Sequence, residues 1–212
     1  MHLVLHRYSW SCILIVDRSD QNHVRKERDD ARIHSFLLIA FFATLTSAGG
    51  FIRIPTPIVP VTLQTLFVYL AGDLLGRKKG AMSQGLFLMI GLIGVPVFSM
   101  GGGLGYVLQP TFGYLLSFPL AAWIVGTVRG WNRIRGEQLR LIAANTAGFL
   151  TVSVIGVVFL YLNLNFVVHS EIGWKQAVWS GALLFLPSEA VKVLLAGWLS
   201  SRLEPIVHRF SA

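Results

Sequence analysis

Charge and cysteine are both scarce in this chain, and each shortage excludes something. Asp, Glu, Lys and Arg make up 13% of its residues, about half of the roughly 25% typical of soluble domains. That is too little polar material to cover a water-facing surface. The single cysteine, Cys12, rules out an intrachain disulfide and a cysteine metal cluster. The histidines (His2, His6, His23, His34, His169, His208) fall at the termini or in one expected loop. None makes the i, i+4 pair that ligates a metal on an expected helix, since His2 and His6, which have that spacing, fall in the N-terminal extension. No Walker-type nucleotide loop, GxSxG or HExxH motif is present. A capture protein powered by partners therefore fits better than an enzyme or an autonomous pump.

What the chain has is apolar length. Of its 212 residues 54% are hydrophobic and the mean hydropathy is +0.63. Several apolar runs approach or exceed the ~18 residues that mark a membrane helix. The sequence predicts an all-α integral membrane protein with six transmembrane helices. These run over Ser35–Phe51, from the Thr62–Thr65 region to Gly76, and over Ala81–Val97, Phe112–Val128, Leu139–Leu162 and Gln176–Ser201. Residues 1–34 read as an N-terminal cytoplasmic extension, disordered or peripheral, or as the product of a start codon assigned too early. Its apolar stretch Trp10–Val16 is too short to span, and a solvated charge run follows. Residues 35–204 form the membrane domain and 205–212 a cytoplasmic tail.

The net charge of +8 suggests nucleic acid until its placement is read. Fourteen Lys and Arg lie between Arg18 and Arg32, at Arg77–Lys79, among Arg129, Arg133, Arg135 and Arg140, and at Arg202 and Arg209. The alternate loops hold two, Arg53 and Lys175. The positive-inside rule then places both termini in the cytoplasm, and no nucleic-acid partner is expected. Asp73, one turn before Arg77–Lys79, is expected to pair with that basic loop.

Two uncharged loops consequently face outward. In IPTPIVPVTLQTL, Pro55, Pro57 and Pro60 favour extended backbone and exclude a continuing helix. In SMGGGLGYVLQPTFGYL, Gly101, Gly102, Gly103 and Gly105 permit positive φ. They follow an apolar helix rather than a strand, so this is not a nucleotide loop. The last apolar run carries Glu189 and Lys192, one helical turn apart on a shared face, just after Pro187. Each ionisable group at membrane depth costs about 2.5–3.5 kcal/mol on insertion scales. The pair therefore faces the protein interior or a cavity, as a ligand site or as a self-neutralising pair. Helix 1 carries the small-xxx-small spacings Ala40/Thr44, Ala43/Ser47 and Thr44/Ala48, which allow close helix approach within the protein or against a partner subunit.

These blocks, IPTPIVPVTLQTL, then LLGRKKGAMSQGLFLMIGLIGVPVFSMGGGLGYVLQPTFGYLLSFPLAAWIVG, then FLPSEAVK, resemble the BioY family in order and spacing. Those proteins are the biotin-binding S components of energy-coupling factor transporters. The resemblance covers about Ala40 to Ser201. It implies a multi-pass protein of the bacterial cytoplasmic (inner) membrane, whose pocket opens outward and is capped by the loop between helices 1 and 2. It also implies a transmembrane scaffold subunit and two ATPase subunits as partners. The scaffold would dock on the helix 1 stripe, where Ala40, Ala43, Thr44, Ser47 and Ala48 occupy the matching region. Biotin would be the transported ligand, with no cofactor. The chain departs from the family at Ser188-Glu189, where Gly-Asp is usual. It departs again at Phe112, where a glycine is common and where an aromatic ring either narrows the pocket or packs against lipid.

Biotin combines an apolar ring and chain with a ureido group and a carboxylate, so its pocket needs apolar walls and a few placed polar groups. Lys192 can pair with the carboxylate; Glu189, Gln64 or Asn145 can answer the ureido group; Tyr106, Thr111 and Tyr114 can line the entrance. Thr62, with Thr65, sits at the mouth of helix 2. Each residue has a plainer use. Asn145 can bond helix to helix, Tyr106 and Tyr114 can be interface aromatics, and Thr62 and Thr65 can cap helix 2. The competing functions are an S component for another vitamin, an intramembrane lipid-modifying enzyme using Glu189 and Lys192, and an assembly protein that binds no small molecule.

Overall fold

The structure, a computed structural model, describes residues 5–55, 59–131 and 133–209, without the side chains of residues 5–24, 27, 208 and 209. Pro57 of the prolyl loop lies outside the described residues. The described residues form an all-α fold, with six α-helical elements and one very short hairpin. Helix α1 covers Leu5–Phe51, so the segment expected as helix 1 is its last part. The extension expected to be disordered or peripheral is helical from Leu5, and the described side chains from Arg25 to His34 are exposed. After α1 the prolines impose extended backbone. Strands β1 (Arg53–Ile54) and β2 (Val61–Thr62) pair antiparallel, with Arg53 opposite Thr62.

Helix α2 (Gln64–Ile93) contains a break at Gly76, φ 73° and ψ 177°. This conformation strongly favours glycine. A Cβ placed on Gly80 would lie 2.8 Å from the carbonyl oxygen of Ala71. Nine residues of straight helix would separate these positions by about 13.5 Å, so the chain doubles back at Gly76. The loop expected at Arg77–Lys79 is therefore a correction: one glycine makes the turn, and the basic residues open the next helical segment. That segment stops at Ile93 rather than Val97, because Gly94 adopts the left-handed cap (φ 118°) and Pro96 cannot continue the helix.

A loop with a 3-10 turn at Leu104–Leu108 leads to α3 (Phe112–Arg129). Helix α4 (Glu137–Phe166) follows. The last expected helix is divided. Helix α5 (Trp174–Gly181) ends at Ala182, a 3-10 turn covers Leu183–Phe185, and α6 (Leu186–Arg209) begins with Pro187 at its second position. A proline clashes with the carbonyl four residues back, so the break falls before Pro187. The residues expected as a tail are helical to Arg209.

Among the described residues four helical stretches are long and apolar enough to cross a membrane: Arg28–Phe51, Phe112–Arg129, Glu137–Phe166 and Trp174–Val207. The side-chain distribution is that of a protein solvated by lipid. Phe36, Leu37, Phe41, Met89, Leu150, Val154, Val191, Leu194 and Trp198 are exposed, while Gln64, Gln84, Asn145, Glu189 and Lys192 are buried. One end of the helix set is basic. A Cβ on Gly126 of α3 would touch the backbone of Arg77, and Arg129 forms ion pairs with Glu137 at 3.5 Å and Glu204 at 2.7 Å. The hairpin and the glycine loop lie at the other end. Asp73, expected to pair with the basic loop, accepts a 2.9 Å hydrogen bond from Ser200 instead.

Candidate ligand-binding site

Beneath the hairpin and the glycine loop is a cavity of about 610 Å³, counted to its open mouth. Every helix except α1 contributes to its wall. The hairpin and the start of α2 supply Thr62, Gln64 and Thr65; the glycine loop supplies Ser99, Tyr106 and Thr111; α3 supplies Tyr114, Leu115 and Phe118. Phe149, Val152 and Ser153 come from α4, with Phe185, Glu189 and Lys192 closing the ring.

Glu189 and Lys192, 6% and 5% exposed, form the polar part of this wall. They make an i, i+3 ion pair on α6. Because α6 starts only at Leu186, Glu189 lies in its first turn, where a carboxylate is favoured by the helix dipole. Helix α2 answers with Thr65 and Tyr69, also one turn apart on one face. Thr65 Oγ1 donates to Glu189 Oε1 at 3.0 Å and Tyr69 Oη donates to Glu189 Oε2 at 2.8 Å. Lys192 Nζ donates to the Thr62 carbonyl at 2.8 Å, to Thr65 Oγ1 at 2.8 Å and to Glu189 Oε1. An ammonium has three N–H donors, and all are committed. Taking either ion out of water alone costs several kcal/mol; pairing with further hydrogen bonds offsets that cost. The pair is thus both self-neutralising and part of the cavity wall.

Two buried polar atoms of the lining have no partner among the described residues, Gln64 Nε2 and Thr111 Oγ1. Gln64 Oε1 is engaged by Thr62 Oγ1 at 3.3 Å. A buried donor left unpaired costs about 1–3 kcal/mol, so these atoms suit a ligand carrying polar groups of its own. The aromatic lining is held in place. Tyr114 Oη donates to the Gly181 carbonyl at 2.7 Å, capping the end of α5, and Tyr106 packs on Phe98 with its hydroxyl 3.4 Å from Ser99 Oγ.

Of the residues expected at the site, the structure brings Thr62, Gln64, Tyr106, Thr111, Tyr114, Glu189 and Lys192 together around the cavity. Asn145 is elsewhere. It is fully buried between helices, its Nδ2 3.5 Å from the Val193 carbonyl. Its position on α4 turns it toward α6 below the cavity, where it serves as a helix-to-helix contact. Thr65 does not cap helix 2: the N-cap is Leu63, with no side-chain cap bond. Phe112 neither narrows the cavity nor faces lipid; it is buried against Phe159 of α4, ring centroids 6.0 Å apart. Tyr69 is the participant that sequence reasoning missed. Its signal was its place one turn after Thr65, on the face that meets α6.

On α1 the small residues divide. Ala43 is buried and Ser47 half-buried, whereas Ala40, Thr44 and Ala48 form an exposed stripe at i, i+4 and i+8. The Thr44 hydroxyl donates to the Ala40 carbonyl at 2.9 Å, which satisfies it within the helix and leaves that face smooth.

A sequence profile of the BioY family matches residues 21–209. The chain is 41% identical over 170 residues to a probable biotin transporter BioY of Lysinibacillus sphaericus, covering 80% of this chain and 86% of that one. It is 34% identical over 169 residues to the biotin transporter BioY of Rhodobacter capsulatus, covering 76% and 87%. Its fold superposes with a TM-score of 0.72 and 27% identity on the crystal structure of the S-component for biotin from an ECF-type ABC transporter, covering 82% of this chain and 92% of that one.

Proposed function

This chain belongs to the BioY family, and from that premise we propose that it captures biotin from outside the cell and passes it inward as the S component of an energy-coupling factor transporter. It is a transporter component rather than an enzyme. The observation that carries the reading is the buried Glu189–Lys192 pair set in the wall of a mostly apolar cavity. Leu115, Phe118, Phe149 and Val152 give an apolar surface for the ring and chain of biotin. Gln64 Nε2 and Thr111 Oγ1, both without a partner among the described residues, can answer its polar groups, and Lys192 can meet a carboxylate by exchanging one of its three present hydrogen bonds for it.

The membrane arrangement proposed is six spans in the bacterial cytoplasmic membrane with both termini in the cytoplasm. The reversal at Gly76 supports counting α2 as two spans, and the clustering of basic residues at the end opposite the cavity supports the orientation. Residues 1–34 then form a peripheral cytoplasmic extension and residues 205–212 a cytoplasmic tail. Energy comes from two ATPase subunits through a scaffold subunit that docks on Ala40, Thr44 and Ala48. A bulky Thr44→Trp substitution is expected to abolish uptake while leaving biotin binding unchanged; loss of binding as well would place Thr44 in the fold rather than at the interface.

The direct test is uptake. Expressed with a scaffold and two ATPases in a biotin-auxotrophic bacterium lacking its own biotin uptake, the chain should support growth on scarce biotin and accumulate labelled biotin. Absence of accumulation by well-expressed protein would remove the assignment.

A further inference from the structure

The hairpin β1–β2 is held at both of its strands. From below, Lys192 Nζ binds the carbonyl of Thr62. Across the ladder from Thr62 stands Arg53, whose guanidinium donates to the carbonyl of Ser99 in the glycine loop. That acceptor is firmly placed. Phe98 and Gly101 exchange backbone hydrogen bonds at 2.9 and 3.2 Å, making Ser99 and Met100 the tip of a tight turn. Phe98 itself is buried between Phe87 and Tyr106, ring centroids 5.4 and 4.8 Å away. Thr62 and Ser99 both line the cavity. One continuous strap therefore runs from α6 through β2 and β1 to the glycine loop, crossing between the two rims of the mouth.

Resting on the ligand-capture reading, we infer that Arg53 is a positioning residue, a latch that ties the hairpin to the glycine loop and governs how fast captured ligand escapes. Nothing in the sequence required an arginine here. The outward loops are otherwise nearly free of cations, and an exposed arginine on a two-residue strand has no core to stabilise. What it contributes is a charge-assisted bond whose planar fork is well suited to a fixed carbonyl. Because the bond ties the two rims of the mouth together rather than touching the ligand, its loss acts on dissociation. Among variants of one site association rates vary far less than dissociation rates.

The experiment is a chase of labelled biotin from purified, lipid-reconstituted protein, comparing wild type with Arg53→Gln and Arg53→Lys. Arg53→Gln should raise the dissociation rate roughly three- to tenfold, the range set by one solvent-exposed hydrogen bond of ordinary net strength, with the association rate nearly unchanged. Arg53→Lys should recover part of the loss. An unchanged dissociation rate overturns the latch. So does a fall in association rate alone, which would make Arg53 an electrostatic guide. A second arm does not depend on the ligand. Arg53→Cys with Ser99→Cys, in a Cys12→Ala background, should be joined by a reducible bifunctional thiol reagent whose spacer matches the length of an arginine side chain, blocking exchange until reduced. Failure of that cross-link to form in well-folded protein overturns the proposed proximity. Failure of wild type to bind biotin while the cross-link forms would instead count against the biotin reading.

Discussion

Two polar clusters lie along the same seam between α2 and α6, and they differ in how completely they are satisfied. At the cavity, Thr65 and Tyr69 meet Glu189 and Lys192; both carboxylate oxygens and all three ammonium protons are engaged. One further turn along α2, Asp73 meets Ser200, beside Asn145 and Arg129. There Asp73 Oδ1, Asn145 Oδ1 and Arg129 Nη1 have no partner among the described residues. Positions 65, 69 and 73 share one helical face, so the seam is continuous while its two ends do different work. The complete cluster is a preorganised wall. The incomplete one ties helices together below the cavity and lines no part of it. A polar residue inside a membrane domain is thus a site only where a cavity reaches it.

The contrast can be broken most forcefully at Lys192. Lys192→Met leaves Glu189 buried and unpaired, which costs about 3–5 kcal/mol. Thermal unfolding in detergent should show a large loss of stability, with no detectable biotin binding. Stability close to wild type would mean that Glu189 does not need its partner. A smaller effect belongs to Tyr69→Phe, which removes one hydrogen bond to a carboxylate, worth about 1.5 kcal/mol, while keeping the ring. Biotin affinity should fall about tenfold, and an unchanged affinity would confine Tyr69 to packing. Asn145→Ala, at the other end of the seam, should lower stability by about 1 kcal/mol, the scale of an interhelical hydrogen bond in a membrane. Its biotin affinity should match wild type within about twofold, and a large loss of affinity would erase the distinction between the clusters.

Much of this was legible in the sequence where a single local rule decided the outcome. Helix α3 begins at Phe112 and ends within a residue of its expected limit, because Pro110 and Thr111 stop the preceding chain and Arg129 ends the apolar run. The Glu189–Lys192 pair announced itself by the cost of burying it. What escaped depends on rotation and on geometry between elements. The reversal at Gly76 was hidden because three basic residues after it look like a loop, although one positive-φ glycine suffices. Pro187 can kink a helix, but its presence alone did not show that the last helix would be divided back to Ala182. Asn145 and Gln64 are both polar residues in apolar helices, and only the direction each faces separates a helix contact from a cavity wall. Tyr69 reads as an ordinary core aromatic until Glu189 is seen opposite its hydroxyl.

The measurement that bears most directly on the central claim is a titration of purified protein with biotin, following the fluorescence of its six tryptophans, beside the double variant Glu189→Gln with Lys192→Met. The double change removes both charges together and so spares the fold the unpaired ion. Wild type should saturate one-to-one at low biotin, and the folded double variant should show no saturation over the same range. Equal affinity in the two proteins would contradict the claim that this pair forms the ligand-binding wall.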